Sequence, residues 1–145
     1  RTVRASLRTQ LMIKLNLPDP PSVNQLYRNR QQGVGRGRIK TDRYRIWLNA
    51  AGWEIVAQKP KAVNGPYELF VQLGPRRLRN GMQAARQKDL GNVLKAIEDL
   101  LVANNLVDDD SLSRRISIEW DERIDGCSVQ VIPALSNVVC MEAAE

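Results

Sequence analysis

Carboxylates and two lysines crowd a short stretch of this chain. Lys88-Asp89-Leu90-Gly91-Asn92-Val93-Leu94-Lys95 runs on to Glu98-Asp99, and Leu106-Val107 then leads to Asp108-Asp109-Asp110-Ser111. Carboxylates are hard oxygen ligands that hold divalent cations. A lysine ammonium beside them offsets negative charge developing in a transition state. Histidine is absent, which excludes Ser-His-Asp triads and every site built on imidazole. The two cysteines, Cys127 and Cys140, form no CxxC. That pattern is too sparse for zinc and suits a reducing cytosol. Acid–base or metal chemistry here must use carboxylates, lysine or water.

The charge is segregated along the chain. Its net value is +6, yet residues 1–48 hold eleven Lys/Arg against two Asp/Glu. Residues 75–88 hold five Lys/Arg and no acid, whereas residues 96–145 hold three Lys/Arg against eleven Asp/Glu. Solubility alone accounts for a basic balance, but the segregation favours a phosphate-binding surface beside an acidic metal site. No apolar run approaches the ~18 residues that span a membrane. Residues 1–10 are basic without an apolar core, so no signal peptide is expected.

These side chains need elements to position them. LMIKLNL (11–17) alternates, with Ile13, Leu15 and Leu17 on one side, and reads as a half-buried strand. Pro18, Pro20 and Pro21 end it, because proline cannot donate to a ladder. RNRQQGVGRGRIK (28–40) is expected to be a mobile loop or loose hairpin; it lacks the GK[ST] ending of a P-loop. Thr41 or Asp42 can cap a helix to about Gln58. Its core stripe is expected to be Ile46, Ala50, Trp53 and Ala57, widened by Trp47 and Ala51. Trp47 and Trp53 are read as core residues rather than base-stacking ones.

YELFVQL (67–73) is a second strand, and GPRRLRNGMQAARQK (74–88) shows no period. From Leu90 the spacing of Leu90, Val93, Leu94, Ile97, Leu100 and Leu101 predicts a helix, closed by Asn104-Asn105. Strands RISIEW (115–120), with Ile116, Ile118 and Trp120 inward, and CSVQVI (127–132), with Cys127, Val129 and Val131 inward, follow. Asp125-Gly126 between them is a hairpin signal. The expected fold is a small α/β (α+β) domain, a mixed sheet flanked by helices. Residues 1–10 are a basic extension, 11–133 the domain and 134–145 a tail.

The helix and the aspartates after it resemble the RusA family of Holliday-junction resolvases. That family carries D-x-D-N-x-x-K-x-x-x-D on a helix and a D-D pair just beyond it. Pro20-Pro21-Ser22-Val23-Asn24-Gln25-Leu26-Tyr27 is similar to the family's proline-rich opening. The resemblance implies an intertwined homodimer that nicks two strands symmetrically at a four-way DNA junction, leaving ligatable ends. It implies Mg²⁺, with Mn²⁺ able to substitute, no small-molecule cofactor, and a cytoplasmic setting in a bacterial or phage-infected cell. The metal-site aspartates fall on Asp89 and Asp110, with Asp109 a further candidate ligand, and the catalytic lysine falls on Lys95. Asn92 matches a motif position of less definite role.

Phosphodiester hydrolysis suits these residue types. It needs a water nucleophile, charge relief on the phosphate and a stabilised leaving oxygen, which a metal and an ammonium supply. The expected DNA contacts are Arg28, Arg30, Arg36, Arg38 and Lys40 in the glycine-rich stretch, and Arg76, Arg77 and Arg79 after the second strand. Such contacts position phosphates without reading sequence.

One position departs from the pattern: Gly91 stands where the family has its second aspartate. Asp108 or Asp109 can replace the missing ligand, the site can use more water, or the chain can be an inactive junction-binding protein. Each residue also has a plain reading: Asp89 as a helix cap, Lys95–Asp99 as a surface i, i+4 pair, and Asp108–Asp110 as a solvated turn. Finally, residues 90–104, if helical, span about 22 Å at ~1.5 Å per residue. Asp89 and Asp110 then start near opposite ends of one helix, and they can meet if the chain doubles back or if two subunits exchange residues. A site shared across a symmetric dimer is the expectation, in keeping with the intertwined dimer that the resemblance implies.

Overall fold

The computed structural model describes residues 12–30 and 37–134. Strand β1 (Ile13–Leu17) is followed by a 3-10 turn (Val23–Gln25), then β2 (Tyr27–Asn29), β3 (Arg38–Lys40) and helix α1 (Asp42–Gln58). Strand β4 (Tyr67–Leu73) leads through a long connection to a 3-10 turn (Leu90–Val93) that runs into helix α2 (Leu94–Ala103). A last 3-10 turn (Asp110–Leu112) opens β5 (Ser113–Trp120), and β6 (Cys127–Pro133) closes the domain. This is the mixed α/β fold expected. The basic extension, Arg36, Cys140 and all of the tail but Ala134 lie outside the described residues.

The main sheet has the order β1-β6-β4-β5. Strand β4 runs antiparallel to β6 and parallel to β5, and β1 runs antiparallel to β6. Alternation sets one face of each strand. Ile13, Leu15 and Leu17 of β1, Tyr67, Leu69, Val71 and Leu73 of β4, and Cys127, Val129 and Val131 of β6 are all buried. They meet Val93, Ala96, Ile97, Leu100 and Leu101 of the second helical segment in one core. Burial pushes the Cys127 thiol up to about 12, which keeps it protonated and unreactive.

Three expectations change. The core stripe of α1 is not Ile46, Ala50, Trp53 and Ala57. Those four are exposed, Ile46 at 70% and Trp53 at 68%. Tyr44, Trp47 and Ala51 are buried instead, with Leu48 and Ile55 packed beside them. The helix carries two apolar stripes at helical spacing, so periodicity does not choose between them. The roll is set by tertiary bonds: Trp47 Nε1 donates to the Pro18 carbonyl at 3.0 Å, and Gln58 brackets the Asn16 backbone of edge strand β1.

Second, Asp125-Gly126 does not join paired strands, because β4 lies between β5 and β6. The connection arches over the end of β4. Asp121 N–H donates to the Leu73 carbonyl and Gly74 N–H to the Gly126 carbonyl, both at 2.8 Å. Gly126 has φ +76°, and a Cβ there would sit 2.5 Å from the Leu17 carbonyl oxygen. A turn signal in the sequence thus marks a tight bend without saying which strand comes next. Third, Ile116 is 41% exposed. It is aligned with inward-facing Leu69, but β5 is an edge strand and the helices cover that edge incompletely.

Candidate active site

The segment from Asp89 to Leu112 holds the carboxylates, and its two ends are built differently. At the first end, Asp89 has extended backbone and precedes the 3-10 turn. Its side chain is a helix-start residue in position only, since it makes no capping hydrogen bond to the backbone. Asn92 Nδ2 lies 3.4 Å from Asp89 Oδ2, a long contact. Beside it, Lys88 Nζ donates to the Pro20 carbonyl at 2.7 Å and pairs with Asp19 at 2.5 Å. The proline-rich opening therefore acts as the seat of the residue that leads into Asp89.

Asp89 and Asn92 line an open cavity of about 660 Å³ with Arg43, Arg76, Arg86 and Lys88. Lys88 is paired with Asp19, and the three arginines that remain against Asp89 make this cleft electropositive, the condition for holding a phosphate. Gln87 fixes its rim: Gln87 Oε1 accepts from the Arg76 N–H at 2.7 Å, and Gln87 Nε2 donates to the Arg76 carbonyl at 3.1 Å. Gly91 sits in the same 3-10 turn, and a Cβ there would meet nothing within 4 Å. A larger side chain at that position has room.

At the second end, Asp99, Asp109 and Asp110 line a cavity of about 370 Å³, faced by Tyr27, Lys40 and Tyr44. Lys95 Nζ pairs with Asp99 at 2.9 Å, the surface i, i+4 pair that the spacing offers. The hydrogen bond and charge of Asp99 raise the Lys95 pKa, with Asp110 and Glu98 adding to it, so its ammonium is firmly held. Asp109 accepts from the Ser111 hydroxyl, and that bond lowers its pKa. Glu98 is raised, first by burial and then by the Asp110 charge, while Lys95 pulls it down. Asp108 is committed elsewhere: its Oδ2 accepts from the Gly65 N–H at 2.8 Å. That bond ties the α2 exit to the connection before β4, so Asp108 is a poor stand-in for the carboxylate missing at Gly91.

Asp89 and Asp110 thus line separate cavities. Among the described residues of the chain, no three His, Cys, Asp or Glu side chains gather at one point, so a divalent cation held here by this chain would keep most of its ligands as water.

The expected DNA contacts are placed as follows. Arg28, Arg38 and Lys40 are exposed on the paired strands β2 and β3, with Arg30 directly after β2. Arg76 lines the Asp89 cleft, and Arg79 is exposed. Arg77 is engaged within the protein, donating to the Glu122 carbonyl at 2.7 Å and the Gly81 carbonyl at 3.3 Å. The sequence reading passed over Arg43, Arg86 and Lys88 beside Asp89, and over Glu98 and Asp99 beside Lys95. Asp99 is the last position of the quoted helix pattern and Lys88 adjoins its first, so both carried a signal. Arg43 and Arg86 carried none, because only folding brings α1 and the 74–88 segment to Asp89.

No curated protein matches the chain. A family model described as endodeoxyribonuclease RusA matches residues 18–132. The match takes in the proline-rich opening, the Asp89 cleft and the Asp99–Asp110 cavity. By that match over most of its length, the chain belongs to the RusA endodeoxyribonuclease family.

Proposed function

We propose that this chain is a Holliday-junction resolvase that works as a homodimer and requires Mg²⁺ or Mn²⁺. The observation that carries the reading is the cationic cleft of Arg43, Arg76 and Arg86 around Asp89, at the start of the helical segment that carries Lys95 and leads on to Asp110. Arg43, Arg76 and Arg86 bind and orient backbone phosphates, and the β2–β3 hairpin adds Arg28, Arg38 and Lys40 to the same work. Lys95, held charged by Asp99, offsets negative charge on the scissile phosphate. Asp89 and Asp110 are the carboxylates assigned to the metal, with Asp109 beside them. Their separation in one chain favours a site completed by a second copy, and two such sites about a two-fold axis suit a substrate of the same symmetry.

A second reading has its own support. Gly91 removes a family carboxylate, and the described residues of one chain gather no trio of donors. On that reading the protein binds junctions without cutting them. A nicking assay on a labelled four-way junction decides, run with and without Mg²⁺ or Mn²⁺, beside a linear duplex and an Asp110→Asn control. Metal-dependent paired nicks on the junction alone, absent from the control, are expected. Binding without nicks under every metal condition establishes the second reading instead.

A further inference from the structure

The cavity beside Asp110 has a wall that phosphate chemistry does not use. Tyr44 is buried at 2% exposure, and Tyr27 in front of it is 38% exposed. Their rings meet edge to face, 5.8 Å between centroids at 76°, and Tyr44 stacks on Trp47 at 6.4 Å and 22°. The ladder is anchored at its base by the Trp47–Pro18 hydrogen bond. It is braced at the hairpin, where Thr41 N–H donates to the Leu26 carbonyl at 3.0 Å. Burial, with the Tyr27 and Asp99 groups adding, pushes the Tyr44 hydroxyl up to about 12, so the ladder stays neutral. Across the cavity stand Asp99, Asp109 and Asp110, and Lys40 sits at its edge with Nζ 5.9 Å from the Tyr44 ring centre.

With no cation bound, three carboxylates repel a phosphate and favour a group that donates hydrogen bonds, and the aromatic wall favours a flat one. A nucleobase has those properties: two π faces for an aromatic ring, and an N–H on its pairing edge for a carboxylate oxygen. A cavity of about 370 Å³ lies within the range of small-ligand sites. In the open form of a four-way junction, bases at the crossing point end their stacks, so drawing one out costs less than in a continuous duplex.

We propose that Tyr27 is a positioning residue that stacks on one base drawn from the junction core into this cavity. The held base fixes the adjoining phosphate relative to Lys95 and Asp110. The inference rests on the resolvase reading for its substrate, but not on catalysis.

The test uses four-way junctions carrying 2-aminopurine at each core position, bound without metal by the full chain. The Tyr27→Leu and Tyr27→Phe variants are compared after matching their thermal unfolding to the wild type. At one core position the wild type changes the 2-aminopurine fluorescence, Tyr27→Phe keeps the change and Tyr27→Leu abolishes it. With metal added, Tyr27→Leu nicks about 10- to 100-fold more slowly, the scale of one lost base–aromatic stack, and Tyr27→Phe restores the rate. Nicking by the wild type with no Tyr27-dependent signal at any core position overturns the inference and leaves the resolvase reading intact. A Tyr27-dependent signal without nicking upholds the inference and removes the catalytic reading. No junction binding at all overturns both.

Discussion

Gly91 is the residue at which the chain departs from the aspartate pattern it otherwise resembles. It lies in the 3-10 turn beside Asp89, exposed, with open space where a Cβ would go. Gly91→Asp therefore enters without steric cost, and an acid in a first helical turn is favoured by the helix dipole. Thermal unfolding of Gly91→Asp is expected at or slightly above the wild-type temperature, with faster metal-dependent nicking of a junction. A drop of several degrees contradicts the open geometry. Glu98 makes a second prediction. Burial and the Asp110 charge raise its pKa in the folded chain, so the folded state holds that proton more tightly than the unfolded one. As pH rises from the ordinary glutamate value of ~4.3 through the folded value, the fold loses stability. Glu98→Gln is expected to unfold at a higher temperature than wild type at pH 7, with the difference closing near pH ~4. A difference that grows on acidification reverses the sign and removes the assignment.

At the scale of elements, Thr41 joins two parts of the site. Its hydroxyl oxygen accepts from the Tyr44 N–H at 3.2 Å, capping α1, and the same hydroxyl donates to the Gln25 carbonyl. The cap thus holds the helix that carries Arg43 and Tyr44 to the turn that lines the Asp89 cleft. Thr41→Ala is expected to cost about 1 kcal/mol, the usual loss of an N-cap, read as a lower urea midpoint at unchanged slope. The exposed apolar face of α1 behaves oppositely: replacing Trp53 by Ser removes no core contact and leaves that midpoint close to wild type. If Trp53→Ser costs more than Thr41→Ala, the roll assigned to α1 is wrong.

For the whole molecule, the decisive question is whether a site belongs to one chain or two. If Asp89 of one copy works with Asp110 of another, Asp89→Asn and Asp110→Asn proteins are each inactive alone. Mixed and allowed to exchange subunits, they rebuild one intact site per heterodimer. The expected outcome is single-strand nicking of the junction by the mixture and none by either variant. A mixture as inactive as its parts places each site within one chain.

Much of this was legible from local pattern. Alternation located β1, β4 and β6 and their inward faces, since a strand's side chains follow a period of two wherever it sits. The leucine spacing located the helical segment after Asp89, and the order of aspartates and lysine carried the family likeness. What only the tertiary structure decided depends on partners far along the chain. The two apolar stripes of α1 were equivalent until Pro18 and Asn16 set its roll. The Asp125-Gly126 bend did not reveal that β4 would lie between β5 and β6. The cations around Asp89 come from α1 and the 74–88 segment, and the tyrosines facing Asp110 come from β2 and α1. Local sequence sets the periodicity of each element, because steric and hydrogen-bonding preferences act over a few residues. Which elements meet is set by burial of their faces together, and that is a property of the assembled core.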